Sequence, residues 1–368
     1  MFDSQTPPIR QAAHVGFGEV SDRAWDNAET RYRTPMQSHL WARAYAATLA
    51  KGEIDVVIVG DPSAPRALAA FAKSVSGTGR WTLLGAEDLW ESVEVAAQDA
   101  EAEEVLVRQL ARSSRPLRFG HYPANSSFLQ AMTRAARGKA LFVRHAVPGR
   151  ALPRILLGPQ WCAPESQLSS RRRSDLRRMG RLASGAGKVS YEIISPGCAE
   201  VDSLVLEAFA VEEKNWKGRS GTAMASDAAK GAFYKEYARL AADAGILRLC
   251  FLRIDGAPAA MQFAVECYNA FWLLKIGYDE TYRRCSPGSL LMRETISYAA
   301  TKGIAAYEFL GREADWTKLW TTEARPIVNA RLYPYNASGA WTLLADTGEL
   351  AMRRLGTRFS RTPPDASA

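Results

Sequence analysis

The sequence predicts a mixed α/β (α+β) fold, with mixed central sheets flanked by helices, in more than one structural unit. Three observations predict it. Short apolar runs alternate with longer amphipathic ones along most of the chain. In the second half, three apolar runs (246–254, 257–267 and 270–278) are joined by the dipeptides Asp255-Gly256 and Tyr268-Asn269, and Asp-Gly between apolar runs is a strong hairpin signal. At 368 residues the chain also exceeds the roughly 250–300 at which a single core stops growing.

Taken in order, residues 1–30 are polar and loosely ordered at the start. Residues 37–49 read as a helix. Residues 54–59 form a β-branched strand, with 67–75 and 80–84 as its partners across glycine-containing turns. A helix over 100–112 runs from acidic to basic, as the helix dipole favours. A short strand over 117–119, a helix over 125–137 and a strand over 140–147 complete the first unit. Pro148, Gly149, Pro153, Gly158, Pro159 and Pro164 then punctuate the chain and mark a boundary. A helix over 166–183 follows, arginine-rich except for the apolar line Leu168, Leu176, Met179 and Ala183. Next come a strand (188–194), two helices (199–216 and 227–243), the three-strand meander, a helix (287–302), a strand (305–309), a short helix (316–320) and a strand (326–333). The expected units are 1–155, a linker with the basic helix at 156–187, a second unit at 188–345, and a tail at 346–368.

Composition narrows the function classes. No run approaches the roughly 20 apolar residues of a membrane span, and the N-terminus lacks the layout of a signal peptide. The five cysteines are scattered without a C-x-x-C pair, which points away from a disulfide framework or thiolate zinc site and makes a reducing cytoplasm the expected location. All four histidines lie in the first half, so the second half holds no histidine triad or histidine metal site of its own, and no metal is expected. The net charge of +8 favours anionic partners. Eight acids and no base lie between Glu87 and Glu104, whereas Arg171 to Lys188 carries seven bases against Asp175 alone. Aromatic residues do not interleave with those arginines, which argues against a nucleic-acid stacking platform.

The stretch 271–309 is the centre of the sequence. A buried strand, Phe271 to Tyr278, leads through a loop with Arg283 and Arg284 to Pro287-Gly288-Ser289, which opens a helix. Free N–H groups at such a helix start, together with two arginines, suit a phosphate or other anion.

The order of elements in the second half, with its basic loop before the helix, looks like the GNAT acyltransferase fold. Glu212-Glu213-Lys214-Asn215-Trp216-Lys217-Gly218, Lys275-Ile276-Gly277-Tyr278-Asp279, Ser286-Pro287-Gly288-Ser289-Leu290-Leu291, and Gly311 followed by Trp316-Thr317-Lys318 together resemble the CelD-like branch of GNAT proteins. That branch is similar to the FemAB group, which is built from two tandem GNAT domains, and HLWARAY at 39–45 fits it as well. The resemblance covers nearly the whole chain and implies two tandem GNAT-like domains, the first a non-catalytic pseudo-repeat that helps to form an acceptor cleft.

The implied reaction moves an acyl group from acyl-CoA to an amine of a small-molecule or sugar-linked acceptor, with polysaccharide or cell-envelope biosynthesis as the family's association. On the resemblance, the donor pyrophosphate meets an Arg/Gln-x-x-Gly-x-Gly/Ala loop whose positions here are Arg284, Pro287 and Ser289. Proline replaces the first glycine of that pattern and serine its last residue, leaving the N–H groups of Gly288, Ser289 and Leu290 as donors beside Arg283, Arg284 and Ser286. Backbone N–H groups along Lys275, Ile276, Gly277 and Tyr278 would polarise the thioester carbonyl. Direct attack by the amine needs no covalent intermediate, in keeping with the absence of a Cys-His or Ser-His pair in this half. A carboxylate would take the amine proton: Glu212 or Glu213 first, then Glu266, Asp279 or Glu308. For the thiolate's proton the tyrosines available are Tyr278, Tyr282 and Tyr307. Trp216, Lys217, Trp272, Asp279, Trp316 and Lys318 are expected around the acceptor. An aminoacyl-tRNA donor, as in FemAB relatives, and a catalytically silent module binding an anionic sugar or nucleotide are the competing readings.

Overall fold

The computed structural model describes residues 12–27, 34–75, 78–214, 227–311 and 313–359. Its first half holds strands β1 (Ala12–Gly16), β2 (Ile54–Asp61), β3 (Ala64–Lys73), β4 (Trp81–Leu83), β5 (Ala96–Ala97), β6 (Leu117–Pro123) and β7 (Ala140–Leu156). Helices His39–Thr48, Ala100–Leu110 and Ser127–Ala135 lie between them. The second half opens with the helix Ser170–Ala186 and continues through β8 (Val189–Ile194), helices Val201–Glu213 and Ala228–Asp243, then β9 (Leu247–Ile254), β10 (Ala257–Cys267) and β11 (Ala270–Tyr278). The helix Pro287–Thr301, β12 (Ala306–Glu308), β13 (Ala324–Pro334) and the helix Ala337–Phe359 complete the chain. The expected mixed α/β class is the one observed.

Local chemistry accounts for the meander. Asp255 and Gly256 both take positive φ, 49° and 80°, as do Tyr268 and Asn269 at 52° and 57°. That double left-handed pair is the two-residue hairpin geometry whose twist matches the flanking strands. Helix starts are capped as their sequences suggest: the side chains of Ser38, Asp99, Ser169 and Asp227 each accept a first-turn N–H.

The strands join in one path, β1-β2-β3-β4-β6-β13-β7-β12-β11-β10-β9-β8, with β5 beside β3. Two features of that path differ from the expected units. The chain does not break at residues 148–155; β7 runs through them as one strand, pairing β13 along most of its length and β12 at its end. Pro326 on the facing strand sits at the shift of register, where no ladder hydrogen bond is asked of it. Strand β13, assigned from sequence to the second unit, lies between β6 and β7 of the first half.

The expected tail at 346–368 is also corrected in its described part. Residues up to 359 continue a helix, and its Asp346 is buried, ion-paired with Arg80 and with Arg331 at 3.0 Å, and accepting from Tyr333 at 2.6 Å. The short helix expected at 316–320 is instead a series of turns.

The halves meet through helices His39–Thr48 and Ala228–Asp243. Trp41, fully buried, packs edge-on against Phe233 at 4.8 Å and Tyr237 at 4.9 Å. Aromatic pairs at such spacing add about 0.5–1.5 kcal/mol beyond area burial. The HLWARAY segment is thus part of the seam. One apolar core runs from the first half across that seam to one face of β9–β11, while a second core lies between the other face and helices Ser170–Ala186 and Pro287–Thr301.

Candidate functional site

The site begins where two parallel strands part. β11 pairs β12 only over Ala270–Trp272 with Ala306–Glu308. Beyond Trp272, β11 runs on to Tyr278, while the other chain turns away through Phe309, Leu310 and Gly311, the last two with positive φ of 55° and 64°. On its other edge β11 carries a bulge: Phe263 pairs Lys275 and Ala264 pairs Leu273, leaving Leu274 as the extra residue. Bulges re-aim side chains and interrupt the ladder. The wedge so formed holds a cavity of about 630 Å³. That is the size of an ordinary ligand pocket.

Leu273 through Tyr278 form one wall; Phe309 to Gly311, Trp316 and Trp320 form the wall opposite. Arg283, Ser286, Pro287, Gly288 and Ser289 close one end, and Leu89, Trp90 and Glu91 from the first half another. Backbone strain gathers around it. Seven non-glycine residues among those described have positive φ; Asp255, Tyr268 and Asn269 belong to the hairpin turns. Three of the other four, Trp90, Ser286 and Leu310, line the cavity, and the His121 ring lies against Trp90, tilted by 31°. Such conformations cost about 1–3 kcal/mol each and collect at sites where geometry matters.

The loop before the helix is built around Asp279. Its carboxylate accepts from Thr281 N at 2.9 Å and Thr281 Oγ1 at 2.7 Å and pairs with Lys214 at 3.1 Å. Burial alone would raise its pKa, but those hydrogen bonds and the ammonium hold it below the usual value. Asp279 therefore shapes the loop and does not line the cavity, a correction to its expected contact with substrate. Ser286 sits at φ 45°, and Pro287 starts the helix. The expected set of three backbone donors is reduced here: Ser289 N and Leu290 N both turn back to Ser286 O, at 3.0 and 3.3 Å. Pro287 has no N–H, which leaves Gly288 N, and a Cβ at Gly288 would meet no atom within 4 Å. The helix start presents one free donor in open space, flanked by Arg283. Arg284 is exposed and Leu290 is buried in the second core; neither lines the cavity.

Other expected residues distribute as follows. Lys275, Ile276, Gly277 and Tyr278 line the cavity, as does Trp316, whose ring meets Phe309 at 5.8 Å. Trp272 lies in the core and donates its indole N–H to Cys267 O at 3.1 Å, outside the lining. Glu213 and Lys318 are exposed and also outside it. Glu308 is buried beside Arg325 at 2.8 Å; burial raises its pKa against the pull of Arg325 and Arg154, and it reads as a strand-to-strand tie. Glu266 is engaged by Arg248 at 2.9 Å and Tyr298 at 3.0 Å. Tyr307 is buried, with its hydroxyl among Thr295, Gln262 and the Met292 sulfur. Trp216 and Lys217 lie outside the described residues.

Glu212 is buried against β11, where a Cβ on Gly277 would come within 2.8 Å of the Glu212 Cα. Lys275, two residues earlier on the same strand, has its Nζ 4.8 Å from the centre of the Tyr234 ring. Burial would depress the Lys275 pKa, but Tyr234, Glu91 and Glu212 outweigh it and raise it, so this ammonium stays charged. Glu91 completes the group. It is 4% exposed, its Oε2 has no hydrogen-bond partner, and burial lifts its pKa to about 7 against the pull of Lys275. Glu91 was not singled out from the sequence, where it is one of eight acids in a run taken only as a charge pattern. The signal available was the apolar company of Leu89, Trp90 and Val93.

Residues 170–318 match the family model described as the acetyltransferase (GNAT) domain. The GNAT match begins at the arginine-rich helix and ends in the turns beyond β12, so it takes in every cavity-lining residue of the second half except Trp320. No curated protein matches the chain by sequence. Among solved structures, the chain is similar to FemX, with a TM-score of 0.57 at 12% identity, covering 89% of this chain and 98% of that one. It is likewise similar to the C-terminal domain of a protein described as a lysylphosphatidylglycerol synthetase from Agrobacterium fabrum, with a TM-score of 0.56 at 15% identity, covering 89% and 95%. A conserved protein of unknown function from Bacteroides thetaiotaomicron gives 0.50 at 12% identity, covering 85% and 92%. At these identities the likeness concerns the fold. Among the described residues no helix is long and apolar enough to cross a membrane, and no cluster of side chains is arranged to hold a metal.

Proposed function

We propose that this chain is an N-acyltransferase that moves an acyl group from an acyl-CoA thioester to an amine. The observation that carries the reading is the wedge between β11 and β12, opening onto Arg283 and the free N–H of Gly288. A wedge of this kind suits an extended thioester: the unpaired edge of β11 offers backbone groups along the arm, and the helix start offers positive charge to the pyrophosphate. Arg283, Ser286, Gly288 and Ser289 are the residues we assign to the phosphates, and Lys275 to Tyr278 to the thioester.

The chemistry then needs little from side chains. A backbone N–H in the bulged segment Leu274–Ile276 holds the thioester oxygen as it gains charge, where one such donor is worth about 2.7–4 kcal/mol. The amine attacks directly, the C–N bond forms as the C–S bond breaks, and the departing thiolate takes a proton for which Tyr278, in the cavity wall, is our assigned source. The motif order places the chain in our reading with the CelD-like branch, and a sugar-linked amine of polysaccharide or cell-envelope biosynthesis is the acceptor class that this branch suggests.

Isothermal titration of the full chain with acetyl-CoA and CoA tests the reading, alongside mass spectrometry of copurified small molecules. Binding of either thioester or thiol is expected, and absence of both sinks the proposal. The aminoacyl-tRNA reading draws on one observation: Arg171, Arg177, Arg178 and Arg181 are exposed and form no ion pair among the described residues. Steep salt dependence of tRNA binding without CoA binding would favour it.

A further inference from the structure

We propose that the first half of the chain builds the acceptor end of the cavity: Glu91 takes a proton from the acceptor's ammonium group, and Arg150, stacked on Trp90, binds an anionic group on the same molecule. The acceptor class is an amine that carries a carboxylate or phosphate. The inference rests on the acyl-transfer reading and goes beyond it by naming the acceptor's charge.

The first observation is Glu91 itself. A carboxylate this deeply buried, with one oxygen unpartnered among the described residues, is costly in a folded chain, and it lines the side of the cavity that Leu89, Trp90 and Glu91 contribute. An ammonium entering the cavity supplies the missing hydrogen bonds. The groups that bear on Glu91 are Lys275 on β11 and Tyr234 on the helix Ala228–Asp243, and Glu212 bears in turn on both of those. With Lys275 fixed as a cation, Glu91 is the group here that changes protonation near neutral pH, as a base must.

The second observation is independent. Trp90 is 56% exposed, lines the cavity and takes a φ of 63°, which few tryptophans adopt. Two rings of contacts hold it there. The Arg150 guanidinium lies 4.5 Å from the centre of the indole, and the His121 ring 5.3 Å from it. His121 Nδ1 lies 3.2 Å from Ala86 O and Nε2 lies 3.5 Å from Arg150 Nη1, and burial, with Arg150, lowers the His121 pKa. A neutral imidazole with its proton on Nδ1 satisfies both contacts. Arg150 makes no ion pair among the described residues, and its planar fork is held by the face of Trp90, a cavity-lining residue, where it is able to meet an anion.

The step balances as follows. The acceptor arrives as R–NH3+, and Glu91 takes one proton and later releases it to water. The neutral amine forms the C–N bond, the C–S bond breaks, and the second N–H proton reaches the thiolate. The products are amide, CoA thiol and one proton.

The test uses the full chain with acetyl-CoA and two matched acceptor pairs: glucosamine 6-phosphate against glucosamine, and 6-aminohexanoate against hexylamine. Acceptor binding and thiol release are both read, from pH 5 to 9. The member of at least one pair that carries the anionic group is expected to bind or react tenfold or more better than its counterpart without it, and Arg150→Ala to remove most of that advantage. Glu91→Gln is expected to lower kcat about 100-fold and erase the acidic limb of the pH profile, while Glu91→Asp restores part of the rate. No preference for the members that carry the anionic group, or a Glu91→Gln enzyme with the parent rate and profile, overturns the inference. Donor titration separates the two failures: if acetyl-CoA binds and these variants behave like the parent, only the acceptor assignment falls, whereas lack of donor binding removes acyl transfer as well.

Discussion

Two adjacent arginines, Arg283 and Arg284, are equivalent on paper and differ in the fold. Arg283 lines the cavity beside Gly288; Arg284 is exposed and does not. Arg283→Ala is therefore expected to weaken acetyl-CoA binding tenfold or more, as loss of one charge-assisted contact of about 1.5–3 kcal/mol would. Arg284→Ala should change it less than threefold, and calorimetric titration separates them; equal losses would relocate the phosphate site. Gly277 is a second position where one atom decides. Its missing Cβ leaves room for the Glu212 backbone, 2.8 Å from where that atom would be. Gly277→Ala must move a helix or a strand, and a loss of about 1–3 kcal/mol is expected in denaturant unfolding, the usual range for overpacking. A loss below 0.5 kcal/mol would show that the seam yields easily.

At the level of elements, the meander and the helix after it were legible from sequence because their signals are local. Asp255-Gly256 and Pro287-Gly288 act within their own turns, and no distant partner can override them. The pairing of β13 was not legible. Residues 326–333 read as a strand, but nothing in them says which neighbours they join, since that choice depends on the edges left open far away in sequence. The same limit hid Glu91. Its run of acids shows only a charge pattern when read alone, yet Glu87 pairs with Arg118, Asp88 accepts from Tyr45 at 2.5 Å, and Glu91 is buried against the second half. The HLWARAY helix shows the intermediate case: helical character was clear, its role at the seam was not. Trp41→Ala should cost about 3–5 kcal/mol, as for other fully buried aromatic residues. Loss of the seam predicts that acetyl-CoA binding weakens in the same variant, measured under conditions where it remains folded.

For the molecule as a whole, the buried acid at the cavity makes stability depend on pH. Glu91 has a folded pKa of about 7 against an ordinary value of 4.5. The folded state thus holds its proton more tightly than the unfolded state. Below pH 4.5 both states are protonated and the group contributes nothing. Between 4.5 and 7 the unfolded state ionises first, and above 7 the folded state carries the full cost, on the order of 3 kcal/mol. Glu91→Gln is expected to raise the unfolding midpoint at pH 8 and to leave it nearly unchanged at pH 4.5. A variant less stable than the parent at pH 8 would mean that the carboxylate is held by contacts worth more than its burial costs. A protein that keeps a destabilising charge in its cavity fits the common trade between stability and a working site.

The insertion of β13 between β6 and β7 has a consequence for how the molecule is made. The described strands of the first half are synthesised well before residues 324–334, so β6 and β7 emerge with a gap between them that β13 later fills. Domains usually fold as they are synthesised, N-terminal first. Here that order cannot finish the job: the nascent first half waits with two open strand edges while some 170 further residues are added. Those edges are ready templates for the wrong partner, which makes the interval before β13 is made the hazardous one for this protein. Glu91 lies in the first half and Lys275 on β11, and β13 completes the sheet that joins the two halves.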